Sequence, residues 1–253
     1  MPDTVTDNRF YGELASWWPL ISPVEEYESE ATYLQTLLPS TTDRRLTLLE
    51  LGSGGGSNAY YLKTEFDMAL VDLSPEMLEV SRTLNPECDH IQGDMRSLRL
   101  GREFDSVFVH DAIDYMITEA DLRAALVTAF IHCRPGSTAV FVPDHTREIY
   151  EPGCDVGGTD GADGRSVRFL NWDHDDDPSD DHVETEYAFV MRSPDGSVRS
   201  VHETHRTGLF GRATWLRLCG EVGFDVRHVV EETDENRVPR DVFIAVRPFD
   251  PTA

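Results

Sequence analysis

The chain has 253 residues, 40% of them hydrophobic, which fits one domain of about 150–250 residues or one such domain with an elaboration. Its net charge is −25, with Lys63 the only lysine, so nucleic acid is excluded as the expected partner: gripping phosphates needs a basic face. No run of about 18 apolar residues occurs, and the start M-P-D-T-V-T-D-N has neither a basic region nor an apolar stretch, so neither a membrane span nor a signal peptide is expected.

At the N-terminus, Asp7 is placed to cap a helix from Asn8 to Trp18, which Pro19 and Pro23 would break. Glu25 to Leu38 carries Tyr27, Ala31, Leu34, Leu37 and Leu38 at helical spacing. The next stretch reads strand, glycine turn, helix, strand, acid. Leu46–Leu51 is an apolar run ending at Gly52, Gly54 to Gly56 follow, Ser57 opens a helix, and Met68–Val71 stops on Asp72. Glycines permit a tight turn and a close approach of ligand to backbone. An acid at the tip of the second strand, 20 residues after Gly52, can accept hydrogen bonds from both hydroxyls of a ribose.

Two cofactor classes use this layout. A dinucleotide fingerprint wants G-x-G-x-x-G, and Ser57 stands where its third glycine belongs. The register Glu50, Gly52, Gly54, Gly56 instead gives E-x-G-x-G-x-G. That pattern resembles motif I of the class I S-adenosylmethionine (SAM) dependent methyltransferases. The resemblance implies that Glu50, Gly52, Ser53, Gly54 and Gly56 pass under the methionine part of SAM, and that Asp72 holds its ribose.

Ser74 and Pro75 start the next helix as cap and first residue. V-D-L-S-P-E-M-L resembles the family's second motif, which implies that Leu73 packs on adenine with Met77 nearby. A short strand near His90-Ile91 precedes G-D-M-R, and the resemblance carries adenine recognition to Asp94 and the backbone of Met95. Phe104–Val109 is apolar throughout, as a central parallel strand should be, and places His110 and Asp111 at the sheet edge where ligands bind. A helix from Thr118 to Phe130, a turn at Arg134–Ser137 and a strand from Thr138 to Val142 lead to Asp144 and His145 at the same edge.

Residues 150–165 read as a loop. Ser166–Trp172, Val183–Met191 and Ser197–His205 alternate, with a hairpin signal at S-P-D-G, so a three-stranded antiparallel insert is expected. The six aspartates of the stretch from Trp172 to His182 are read as a solvated loop, with no metal expected. A helix from Gly211 to Cys219, closed by Gly220 or Gly223, precedes two final strands, Phe224–Val230 and Asp241–Val246. The segment from His202 to Phe224 resembles enzymes that N-methylate nucleotide-linked amino sugars, in which an arginine at the Arg240 position lies near the substrate.

The expected fold is therefore α/β, the Rossmann-like class I methyltransferase fold. It has a seven-stranded, mostly parallel sheet with helices on both faces. N-terminal lid helices (1–40) and an antiparallel β insert (150–205) flank a core of 41–149 and 206–253. The expected activity is methyl transfer from SAM to a hydroxyl or amine of a small molecule. A SAM-binding protein without transfer activity and an NAD-type oxidoreductase are the alternatives. A base is needed for a hydroxyl or a protonated amine. His145 is ranked first, then His110, then His205, with Tyr11 orienting SAM or acceptor from the lid beside Trp17 and Trp18. Trp18, Asp144, Arg168, Trp172 and Arg240 are the candidate acceptor contacts, and Asp111 with Asp144 would serve a metal-assisted variant of the reaction. The four cysteines are widely spaced with no C-x-x-C, which points to free thiols, a cytoplasmic location and a monomer or homodimer.

Overall fold

The computed structural model describes residues 9–231 and 239–249. The expected helix from Asn8 to Trp18 is replaced by shorter pieces, and its cap Asp7 lies outside the described residues. A 3-10 turn at Ala15–Trp17 runs into α1 (Trp18–Ile21), and another at Val24–Tyr27 runs into α2 (Glu28–Leu37). Pro19 begins α1 rather than ending a helix, because a first-turn residue has no intrahelical use for an N–H.

The core then alternates strand and helix. It comprises β1 (Leu46–Leu51), α3 (Ser57–Leu62), β2 (Phe66–Asp72), α4 (Pro75–Leu84), β3 (Asp89–Gln92), β4 (Phe104–Val109), α5 (Glu119–His132) and β5 (Cys133–Phe141). The chain makes a second sheet from β6 (Gly153–Gly157), β7 (Ser166–His174), β8 (His182–Arg192) and β9 (Val198–Gly208). It returns through α6 (Arg212–Val222), β10 (Asp225–Glu231) and β11 (Arg240–Val246). The main sheet has the order β10-β11-β5-β4-β1-β2-β3, with β11 antiparallel to both neighbours and the other pairs parallel.

Every residue of β4 is buried, the condition for a strand covered on both faces. One covering layer joins α5 and α6 to the sheet through Leu122, Leu126, Trp215 and Phe243. The other uses Leu34 of α2 and Ala59 and Leu62 of α3 against Leu48, Leu70 and Val140. The expected turn at Arg134–Ser137 lies inside β5, where the pairing jumps from Phe104↔Cys133 to Ser106↔Thr138 and Gly136 takes a φ of +83°. α6 ends on Gly223 at φ +115°.

The insert has four strands, not three. Gly153–Gly157, read as loop from its glycines and aspartates, pairs antiparallel with β7 from Gly153↔Asp173 to Gly157↔Phe169. An edge strand needs only one partner, so a weak local pattern suffices. The inner face of this sheet receives the N-terminal segment: Phe10, Leu14, Trp17 and Leu20 pack on Val167, Phe189, Met191 and Val201. Arg165 adds a cation–π contact, 5.0 Å above the Trp17 ring.

Candidate active site

The C-terminal ends of β1, β2, β4 and β5, the N-terminal segment and the inner face of the second sheet enclose a cavity of about 520 Å³. On one side lies the glycine turn after β1. The N–H groups of Gly52 and Ser53 donate to Val71 O at 2.7 and 2.9 Å, which folds the chain back onto β2. Gly52 has φ +76°, and a Cβ there would stand 2.3 Å from Ala112 Cβ and 2.8 Å from Met95 Cε. Gly55 fails to admit a side chain for a different reason: Trp18 Cδ1 would be 2.5 Å from its Cβ. The turn therefore needs bare backbone both for its conformation and for the indole laid across it.

Asp72 ends β2 with its carboxylate inside this turn. Its Oδ2 accepts from Gly54 N–H at 2.7 Å and its Oδ1 from Ser74 N–H at 2.9 Å. Burial raises its pKa against these two bonds. Ser74 caps α4 by accepting from Met77 N–H at 3.0 Å and donates to the Tyr11 carbonyl at 2.6 Å. At Asp94 burial also opposes ionisation, but the Arg96 guanidinium and N–H outweigh it and hold the carboxyl below its usual range. Burial pushes Glu50 up to about 8, against the partial relief offered by His110.

The opposite side is built from charged side chains. Arg240 of β11 lies 3.0 Å from Glu30, 3.1 Å from Asp111 and 3.3 Å from Asp144. His110 lies between Glu30 and Asp111, with Nδ1 3.1 Å from Asp111 Oδ2. Burial favours neutral His110, and the two carboxylates more than reverse this, so its pKa is raised. Asp111 is raised by burial and by Asp144, and Asp114 well raised by burial and the same neighbours. Asp114 Oδ2 accepts from the Asp144 N–H at 2.7 Å. His145 Nδ1 makes no hydrogen bond, and its ring meets Tyr150 edge-on at 5.5 Å.

The structure brings most of the sequence-predicted residues to this one cavity: Tyr11, Trp18, Glu50, Gly52, Ser53, Gly54, Asp72, Leu73, Asp94, Met95, His110, Asp111, Asp144 and His145 all line it. Five do not. Gly56 faces α4, where its carbonyl accepts from Asn85 Nδ2 at 2.9 Å. Met77 is buried under the turn, its Cε 3.6 Å from where a Gly54 Cβ would be. Arg240 lies one layer below the lining, holding Asp111 and Asp144 from behind. Arg168 pairs with Asp160 outside, and Trp172 is 54% exposed. The last two are corrected by strand parity. Phe169, Asn171 and Asp173 are the β7 side chains that line the cavity, so Arg168 and Trp172 point the other way. Sequence reading missed Glu30, Asp114, Tyr115 and Tyr187. Plain alternation along β8, which sets Tyr187 on one face with Val183, Thr185, Phe189 and Met191, is the signal that could have flagged Tyr187.

The acidic loop stays apart from the cavity. Its Asp177 accepts from Ser179 N–H and Oγ–H. At its base His174, Asp176 and Glu184 bring ligand atoms within 4.8 Å of one another, the one such group among the described residues.

Comparison with known proteins follows the same division. A family model described as "Methyltransferase domain" matches residues 48–136. The chain is 28% identical over 221 residues to the dTDP-3-amino-3,6-dideoxy-alpha-D-glucopyranose N,N-dimethyltransferase of Streptomyces fradiae, covering 86% of each. Among solved structures, Streptomyces venezuelae DesVI superposes with a TM-score of 0.77 at 26% identity, over 88% of this chain and 92% of that one. SAM-bound CalS10, an amino pentose methyltransferase from Micromonospora echinaspora, gives 0.68 at 23%, over 88% and 90%.

Proposed function

We propose that this chain, a class I SAM-dependent methyltransferase acting on a small-molecule acceptor, delivers the methyl group to the amine of an amino sugar. The observation that carries the amine is the acidic wall at the ends of β4 and β5, where Asp111, Asp114 and Asp144 line the cavity. Such a wall attracts a protonated amine and offers a neutral hydroxyl far less. The sugar is supported by the relatives, whose names specify amino sugars. Neither a nicotinamide oxidoreductase nor a SAM-binding protein without transfer activity is favoured by these likenesses.

SAM supplies an electrophilic methyl on a sulfonium whose charge is lost on transfer. The residues present fit it. Trp18 Nε1, Glu50 Oε2, Ser53 Oγ and Asn58 Oδ1 are buried polar atoms without hydrogen-bond partners in this part of the cavity wall, donors and acceptors for an amino-acid end. Asp72 would hold the ribose hydroxyls with the lone pairs that Gly54 and Ser74 leave open, and Asp94 and Met95 the adenine. On the acceptor side an ammonium must lose a proton before its nitrogen can attack. His145 is the base in this reading, because its Nδ1 has no partner to give up. Asp111, its pKa raised, is the nearest alternative, while His110 is fixed between carboxylates and orients Asp111. Much of the rate then comes from holding the amine in line with the methyl.

In the same reading the N-terminal segment and residues 150–205 serve as lid and insert over a core of 41–149 and 206–253. The protein acts in the cytoplasm, as monomer or homodimer, consistent with four free cysteines. The test pairs a nucleotide-linked 3-amino sugar with its 3-hydroxy counterpart, each incubated with SAM and analysed by mass spectrometry. N-methyl product from the amine alone is expected. Methylation of the hydroxyl compound with none of the amine would overturn the assignment.

A further inference from the structure

Glu203, His205, Tyr115 and Tyr11 form one hydrogen-bonded chain that ends in the cavity. Glu203, His205 and Thr207 share a face of β9 by strand parity, and that face is turned inward. Glu203 Oε2 accepts from the Phe10 N–H at 3.2 Å and lies 3.3 Å from His205 Nε2. His205 is 1% exposed, and its Nδ1 is 2.7 Å from the hydroxyl of Tyr115, in the 3-10 turn Asp111–Tyr115 just after β4. Tyr115 in turn donates to the Tyr11 hydroxyl at 2.8 Å. Tyr11 and Tyr115 both line the cavity, and His205 does not.

The direction of these bonds matters. Because Tyr115 spends its hydrogen on Tyr11, the hydrogen in the 2.7 Å contact must come from His205 Nδ1. An imidazole carrying its hydrogen on Nδ1 can give it, so donation runs one way from His205 toward Tyr11. Tyr11 already accepts at its oxygen, so its own hydrogen is turned away from Tyr115 and into the cavity. Rings of Phe10, Tyr11, Tyr115 and Tyr187 surround the imidazole at 4.7 to 5.9 Å and leave it no other rotamer partner. Glu203 also holds the backbone of residue 10, so this carboxylate sets the path of the chain into Tyr11.

We propose that Glu203, His205 and Tyr115 are positioning residues for methyl transfer, aiming the O–H of Tyr11 at a heteroatom of the acceptor so that the nucleophile is held in line. The proposal rests on methyl transfer itself and not on the acceptor being an amine. It is therefore tested with whichever acceptor, amine or hydroxyl, the wild-type enzyme methylates.

The variants are Tyr115→Phe, His205→Leu, His205→Asn and the double variant Y115F/H205L. Each is measured for acceptor KM, kcat, SAM affinity by calorimetry and melting temperature. Tyr115→Phe keeps the ring and removes only the hydroxyl, so the fold is retained. Acceptor kcat/KM is expected to fall about tenfold, the scale of one lost hydrogen bond, with SAM affinity unchanged. His205→Leu should match it, the double variant should be no worse than either single one, and His205→Asn, which keeps a nitrogen donor, should recover most of the activity. A lower melting temperature with acceptor kinetics within twofold of wild type would mean that the chain only fastens the N-terminal segment, and would overturn the proposal. So would His205→Asn behaving like His205→Leu, or additive losses in the double variant.

Discussion

Strand β4 has an aspartate near its start and another two residues past its end, and the two live under opposite conditions. Asp105 receives Arg44, Arg134, and both the N–H and the hydroxyl of Thr47. The Arg44 bond above all, against the opposing effect of burial, holds its carboxyl far below the usual range. Asp111, at the ligand end, pairs with Arg240, which also meets Glu30 and Asp144, and burial raises it. Charges at the far end of the sheet are matched to hold the fold. At the ligand end carboxylates crowd around the buried Arg240 guanidinium and His110, and burial works against the ionisation of Asp111.

The largest test of this contrast is Arg240→Met. The substitution takes the arginine away from buried Glu30 and half-buried Asp111 and should lower stability by about 3–5 kcal/mol in urea titration. A loss below about 1 kcal/mol would mean that these carboxylates do not depend on Arg240. Asp105→Ala should lower stability by about 2–3 kcal/mol while SAM binding stays as in wild type. Its depressed pKa gives a stabilisation present above the unfolded pKa and lost as pH falls through the folded one, so the variant's deficit should shrink in strong acid. A change in SAM affinity would break the separation of the two ends.

Asp72→Ala should weaken SAM by about 10–100-fold in calorimetry, and the loss of its bonds to the Gly54 and Ser74 N–H groups should lower stability by about 1–2 kcal/mol without unfolding the protein. Retained affinity would remove Asp72 from the ribose. The smallest effect concerns pH. Glu50 is held up at about 8 by burial, so between its ordinary range and 8 the folded chain binds a proton that the unfolded chain has released. Stability should therefore decline as pH rises across that window, and Glu50→Gln should flatten the decline, with melting temperatures a few degrees above wild type at pH 8. Parallel curves for the two proteins would show that Glu50 does not titrate there.

The glycine-turn side of the cavity was legible because it is local. Glu50, the three alternate glycines and Asp72 fall within 23 residues, and the turn they make follows from backbone freedom and strand length. The charged side was legible only residue by residue, as His110, Asp111, Asp144, His145 and Arg240, because it is assembled by tertiary structure. Glu30, His110 and Arg240 come from α2, the end of β4 and β11, and no spacing in the chain announces their meeting. Alternation located β7 but not which face looked inward, which is why Arg168 and Trp172 were chosen over Asn171 and Asp173. Proline at 19 and the glycines of β6 show the other limit: a residue that usually interrupts an element can also begin one or sit at its edge.

The hydroxyl of Ser74 ties the two ends of the cavity to each other. It closes the first turn of α4 and holds the Tyr11 carbonyl, while its own N–H is bound to Asp72. A ligand that reorganises the Asp72 carboxylate therefore pulls, through two bonds, on the residue whose side chain faces the second ligand. Occupancy of the Asp72 end should therefore change the affinity of the end that Tyr11 faces, and the reverse by the same factor, so that the two ligands bind cooperatively.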